Sequence, residues 1–284
     1  MKKILVPVDF SKSSTTAADV AYDVAKRAGA AITMLHVIEE AGSDSYSVSG
    51  EWSKSSRDME TSRFTIELIK KARKQLEKLV NDPKYQDVRI DGELRMGNAF
   101  HGMRTIITEH KVDLVVMGTR GQTNLEEMVI GSNTERVVRN MRCPVLSVHN
   151  KPNKIDFKNI VYATAMSKDE EVFSRIVKRT QQIYNSTVHL VRINTPGDFQ
   201  RDKVVRDYME KFAKKLQLKN YTINVYNDLT TEEGIIYFGE SINADLICMA
   251  THGRTGFAHV MAGSVAEDVV GHSKRPVLTF VVKH

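Results

Sequence analysis

The chain has 284 residues, more than one hydrophobic core usually holds and comfortable for two, with 41% hydrophobic and 27% charged residues. Those proportions exclude disordered, collagen-like and coiled-coil chains, and no apolar run reaches the ~18 residues that would span a bilayer. The net charge of +6 comes from 41 Lys and Arg against 35 Asp and Glu, without interleaved aromatic platforms, so it reads as solvated helix faces and not as a nucleic-acid surface.

In chain order, KILVPV (3–8) is an apolar strand, and SSTTAADVAYDVAKRAGA (13–30) is a helix with a Ser/Thr start and Gly29 at its end. AITMLHVI (31–38) is the second strand. The Ser- and Gly-rich stretch 39–58 reads as a loop, followed by a helix near 57–81 with Leu68, Ile69, Ala72, Leu76 and Leu79 on its apolar face. Strand DVRIDGEL (87–94), a helix near 100–110, strand DLVVMG (113–118), a helix near 133–142 and strand PVLSVH (144–149) complete the first half. NKPNKIDFKN (150–159) is the linker, so domains of 1–150 and 151–284 are expected.

The second half repeats the first. ILVPVDFSK (4–12) lies over IVYATAMSK (160–168), and ITMLHVI (32–38) over VHLVRIN (188–194), at an offset of 156. MGTRGQTNLEEMVIGSNTERVV (117–138) lies over MATHGRTGFAHVMAGSVAEDVV (249–270) at an offset of 132, so the first copy carries about 24 extra residues, placed in the 39–58 loop. Apolar strands without alternation indicate parallel sheets covered on both faces, and a doubly wound sheet of that kind binds ligands beyond its strands' carboxyl ends.

Gly118 and Gly121 follow a strand directly, where glycine lets the backbone turn and approach a ligand, and Gly131-Ser132 opens a helix whose free N–H groups favour an anion. The structural alternative is a plain turn plus a cap from Ser132 or Asn133, and for Asp9 a cap on the following helix. Neither a P-loop nor a G-x-G-x-x-G fingerprint is present.

The run Gly118-x2-Gly121-x9-Gly131-Ser132, with strands ending VPVDFS (6–11) and LHVIE (35–39) and CPVLSV (143–148) near the end, resembles the universal stress protein family, here as a tandem pair. The resemblance implies an α/β fold of two five-stranded parallel doubly wound sandwiches, Rossmann-like and adenine nucleotide alpha-hydrolase-like. It also implies ATP, with Mg as a candidate companion ion: Asp9 beside Pro7 and Val8 at the nucleoside, the backbone around Val37 at the adenine, and Met117, Gly118, Gly121, Gly131, Ser132 and Asn133 at ribose and phosphates. Arg120 either reaches a phosphate or is solvated. The family's pairing through its last strands implies that 144–149 and 276–282 join the halves as a pseudo-dimer, with a homodimer as a further option.

The second copy departs from the pattern. Ala165 stands for Asp9 and Ala250 for Gly118, while Gly253, Gly263 and Ser264 remain, which points to a degenerate second site. An anionic or lipid-like ligand is conceivable there, but no residue in the sequence identifies one. HExxH, clustered CxxC and G-x-S-x-G are absent, and His252 and His259 lack ligand spacing, so neither a catalytic residue nor a protein metal site is assigned. Cys143 and Cys248 read as core thiols, and MKKILVPVDF turns polar too soon for a signal peptide, so a cytoplasmic protein without membrane partners is expected. The favoured function is a nucleotide-dependent stress regulator or sensor. The alternatives are a nucleotide-independent interaction scaffold and a slow ATPase.

Overall fold

The computed structural model describes residues 1–39, 56–119, 130–150, 155–165, 170–252 and 265–282. The expected 39–58 loop therefore lies largely outside the described residues, as do Arg120, Gly121, Gly253, Gly263, Ser264 and His259. The first half runs β1 (Lys3–Pro7), α1 (Lys12–Ala28), β2 (Ala31–Ile38), α2 (Ser56–Val80), β3 (Ile90–Met96), α3 (Ala99–His110), β4 (Leu114–Gly118), α4 (Ser132–Asn140) and β5 (Val145–Val148). The second runs β6 (Asn159–Ala163), α5 (Glu171–Tyr184), β7 (Thr187–Asn194), α6 (Asp202–Leu216), β8 (Tyr221–Asn227), α7 (Thr231–Ser241), β9 (Leu246–His252), α8 (Val265–His272) and β10 (Val277–Val282).

All the strands join one ten-stranded sheet in the order β3-β2-β1-β4-β5-β10-β9-β6-β7-β8. Within each half every pair is parallel, which requires the helical crossovers that cover both faces. The repeat extends to register. Ile4 pairs with Ile32 and Leu114, and at the offsets read from the sequence Ile160 pairs with Val188 and Leu246. Successive strand residues feed opposite core layers: Ile4, Val6, Ile32 and Met34 pack with Val20 and Val24 of α1, whereas Leu5, Leu35 and Val115 pack with Met103, Ile106 and Val137 of α3 and α4. The strand order reverses between β1 and β4, and in the second half between β6 and β9. These are the two places where parallel α/β sheets open a crevice.

Local chemistry sets the boundaries. Ser11 caps α1 by accepting from the Ser14 N–H at 3.1 Å, and Gly29 ends it in the left-handed region at φ 63°. β3 begins three residues later than the expected 87. Asp82 starts a 3-10 turn over Pro83–Tyr85, Tyr85 donates to Asp19 at 2.8 Å, and Lys26 holds Asp87, so this stretch is tied to α1 before the strand can form. On α2, Ala72 and Leu76 are buried as expected, but Leu68 is exposed. The expected linker contributes to the core, because Phe157 is buried with its ring 4.9 Å from that of Tyr184.

The halves meet through β5 and β10, which run antiparallel with Ser147, Leu146 and Val145 opposite Val277, Leu278 and Thr279. On one face Arg139 of α4 makes a bidentate pair with the buried Glu267 of α8 and also reaches Glu135 at 2.9 Å. On the other, Arg27 of α1 lies 4.9 Å from the Tyr184 ring centre and donates to the Ile155 carbonyl, while Tyr184 donates to Asp23 at 3.3 Å. The sheet is thus continued by backbone bonds and clamped on both faces by charged contacts.

Both thiols are inside. Burial pushes the Cys143 pKa up to about 12, and the fully buried Cys248 higher still. In native protein a thiol-reactive dye is expected to label neither cysteine, and to label both once the chain is unfolded in denaturant. Rapid native labelling would contradict this burial.

Candidate functional site

The first-half crevice is built from the ends of β1, β2 and β4. Beyond β1, the Val8 N–H donates to the Leu35 carbonyl at 2.8 Å, and the Val8 carbonyl lies 2.7 Å from Nδ1 of His36. Phe10 then takes a left-handed φ of 63°, uncommon for a bulky residue, and its ring rests on His36 at 4.4 Å. This bend sets Asp9 immediately before α1, where its Oδ1 accepts from the Ser11 N–H at 3.0 Å. Asp9 therefore orients the residue that caps the helix, close to the capping alternative raised by the sequence, and does so at the tip of β1. Pro7 ends β1, and Val37 sits on β2 opposite Arg95 of β3. Gly102 of α3 packs closely over Val37, since a Cβ there would approach Val37 Cγ2 to 3.1 Å. The Val37 side chain is thus committed to α3.

At the end of β4, Met117 is buried and Gly118 touches two helices at once. A Cβ on Gly118 would fall 2.2 Å from Ser13 Oγ and 2.9 Å from the Ser13 carbonyl carbon, so the first turn of α1 lies directly against it. Thr134 of α4 donates to the Gly118 carbonyl at 2.9 Å. Gly118 is not among the described glycines with positive φ, so what it provides here is space for a close approach and not a left-handed turn. That space is taken by Ser13.

α4 begins without a side-chain cap. Gly131 is the N-cap, its own N–H donates to the Thr119 carbonyl at 2.8 Å, and the first helical bond runs from Glu135 N–H to the Gly131 carbonyl at 3.0 Å. The capping alternative for Ser132 and Asn133 is overturned: both lie in the first turn, and neither caps it. The Ser132, Asn133 and Thr134 N–H groups make no hydrogen bond to another described residue. α1 has no acidic residue in its first turn, and the Ser13 Oγ is buried without a hydrogen-bond partner. Two helix N-termini therefore converge on the end of β4, where both dipoles, and donors that no described residue engages, favour an anion, with Glu135 the one acid in the first turn of α4.

The second crevice has different chemistry at the same places. Ala165 N–H donates at 3.0 Å to Glu170, whose buried carboxylate also accepts from Tyr162 at 3.0 Å and Thr164 at 2.7 Å. Burial, reinforced by Glu170, drives the Tyr162 pKa well above its usual value. Glu170 occupies the Ser14 position as the N-cap of α5, and Glu171 follows in its first turn; in the first turn of α8, Glu267 repeats Glu135 of α4, and Asp268 stands where α4 has Arg136. Ala250 packs partly buried against the core. Thr119 contacts His149 at 3.0 Å, but Val281 replaces that histidine, and Thr251 keeps a buried hydroxyl without a partner. Sequence comparison singled out Ala165 and Ala250 but missed Glu170. The acidic run DEE (169–171) at a helix start was the available signal.

Among the described residues no His, Cys, Asp and Glu cluster could hold a metal, and no helix is long and apolar enough to cross a membrane.

The fold defines a tandem Rossmann-like α/β protein with one reversal of strand order in each half. A family model described as the universal stress protein family matches residues 1–149 and again 156–281. This chain belongs to the universal stress protein family. It is similar to a universal stress protein of Methanocaldococcus jannaschii, 33% identical over 154 residues, covering 54% of this chain and 84% of that one. A putative universal stress protein of Staphylococcus haemolyticus is 28% identical over 165 residues, covering 55% and 90%. Among solved structures, a universal stress protein from Archaeoglobus fulgidus has the same fold along the whole length, with TM-score 0.77, 18% identity and 98% of both chains covered.

Proposed function

We propose that the first half, residues 1–150, binds ATP at the β1–β4 switch point, and that the chain is a cytoplasmic, nucleotide-dependent regulator of the stress response. The observation that carries this reading is the convergence of the α1 and α4 N-termini on Gly118, with Ser13 Oγ unpartnered and the first N–H groups of α4 engaged by no described residue. Triphosphate supplies the negative charge these groups favour, and Asp9 at the tip of β1 offers a carboxylate to nucleoside hydroxyl or amino donors. In sequence, Gly121 and Gly131 continue the family's glycine run after Gly118, with Arg120 beside Gly121. The second half, 151–284, is assigned no ATP, because Glu170 and Glu171 stand at the start of α5, where α1 has no acid, and Ala165 removes the nucleoside acceptor. The mechanism is binding and release: ATP bridging the first turns of α1 and α4 draws the two helix starts together, and partners read that change.

The test is calorimetric titration of the full chain with ATP, alongside mass spectrometry of ligand released on denaturation. Asp9→Asn keeps the acceptor for Ser11 but loses the charge, and is expected to weaken ATP binding by about tenfold or more, the worth of one charge-assisted hydrogen bond. A chain that releases no adenine nucleotide and shows no heat with ATP would leave the scaffold reading in its place.

A further inference from the structure

The end of β7 carries a charge that its first-half counterpart lacks. Arg192 stands where β2 has His36, and it is 9% exposed. One terminal nitrogen donates to the carboxylate of Asp198, whereas its Nε is buried with no hydrogen-bond partner. Guanidinium is a planar fork that two oxygens of one carboxylate satisfy together, so a single contact leaves a buried cationic edge unpaired. That is costly inside a protein unless something completes it.

The partner it has is an outward-facing one. The Asp198 side chain is 60% exposed and sits on the tight turn closed by the Thr195–Asp198 bridge. Asn194 fixes this turn over the strand end, donating to the Gln200 carbonyl at 3.0 Å and accepting from the Gln200 N–H at 3.2 Å, while its own carbonyl accepts from the Asp228 N–H at 3.0 Å. Two large apolar side chains, Phe199 at 69% exposure and Leu229 at 77%, directly follow Asp198 and Asp228 in the chain and stand in solvent. The buried acid Glu170 accepts from three donors at the tip of β6.

We propose that Arg192 anchors a ligand site in the second half for a small organic acid with an apolar body, and that Asp198 holds the place of the ligand's carboxylate when the site is empty. The ligand's two oxygens engage Nε and the terminal nitrogen together, Asp198 returns to water, and the apolar body covers Phe199 and Leu229. The site is separate from the proposed nucleotide crevice and stands whether or not the first half binds ATP.

The test uses octanoate as the probe, acetate as its tail-less comparison, and the NMR signal of the Arg192 Nε–H in the full chain as the readout. Asp198→Asn removes the competing charge at an exposed position, so in that variant octanoate is expected to shift the signal at a concentration at least ten times lower than in the parent. Acetate is expected to need far more. Arg192→Met should abolish octanoate binding measured by calorimetry; if that variant does not fold, the Nε–H signal in Asp198→Asn decides alone. An Nε–H signal that octanoate leaves unmoved, equal potency of acetate and octanoate, or undiminished binding by folded Arg192→Met would each overturn the proposal.

Discussion

Gly118→Ala is expected to destabilise the protein by about 2–3 kcal/mol and to weaken ATP binding with it, because the added methyl group enters space that α1 already fills. The Cβ would lie 2.2 Å from Ser13 Oγ, 3.0 Å from Ser13 Cβ and 2.9 Å from the Ser13 carbonyl carbon. A side-chain oxygen can rotate away, but a backbone carbon moves only with its helix. Displacing the first turn of α1 disturbs the Ser11 cap, the Asp9 bond to Ser11 and one of the two N-termini proposed to hold phosphate. Chemical unfolding and ATP titration of the same variant measure both losses. Adding Ser13→Gly removes two of the three clashing atoms and is expected to recover part of the stability. Ala250→Gly at the equivalent second-half position relieves no such contact and should cost at most about 1 kcal/mol through chain entropy. Full stability of Gly118→Ala would show that α1 yields easily, and the account of the glycine as a spacer would fail.

Arg139→Met is expected to cost about 2–3 kcal/mol and to loosen the two halves from each other. Glu267, with a side chain only 9% exposed, would keep a buried carboxylate with no bidentate partner, and removing one member of a buried pair costs more than the pair contributes. Arg139 is itself 30% exposed, which holds the figure below that of a fully enclosed pair. Combining Arg139→Met with Glu267→Leu puts apolar groups on both sides, and the double variant is expected to regain at least half of the loss. Unfolding curves for the two single variants and the double variant form the necessary cycle. Simple additivity would mean that the two side chains do not act as a pair.

Both predictions concern contacts between residues far apart in the chain, and that separates what was legible from what was not. The strand ends were readable because buried parallel strands are continuous apolar runs: KILVPV, AITMLHVI and DLVVMG contain β1, β2 and β4 with errors of one residue at most at any end. Residues 87–89 misled because their local sequence permits a strand, while Asp19 and Lys26 of α1 claim Tyr85 and Asp87. Phe157 looked like linker because nothing nearby in sequence shows that Tyr184 would cover it. Glu170 was passed over for a similar reason, since an acid at a helix start is ordinarily solvated. Only folding brings Tyr162, Thr164 and the Ala165 N–H around it.

What the sequence by itself determined is the duplicated α/β order and the residues that differ between the copies, because hydrophobic period and glycine spacing are local properties that survive duplication. Tertiary structure alone decided that Gly118 is a spacer for Ser13, that Arg139 clamps the halves, and that Arg192 keeps an unpaired edge beside Asp198. Each depends on distances between groups from different elements, and side-chain packing and hydrogen-bond completion fix such distances only when the sheet has closed and its helices have docked.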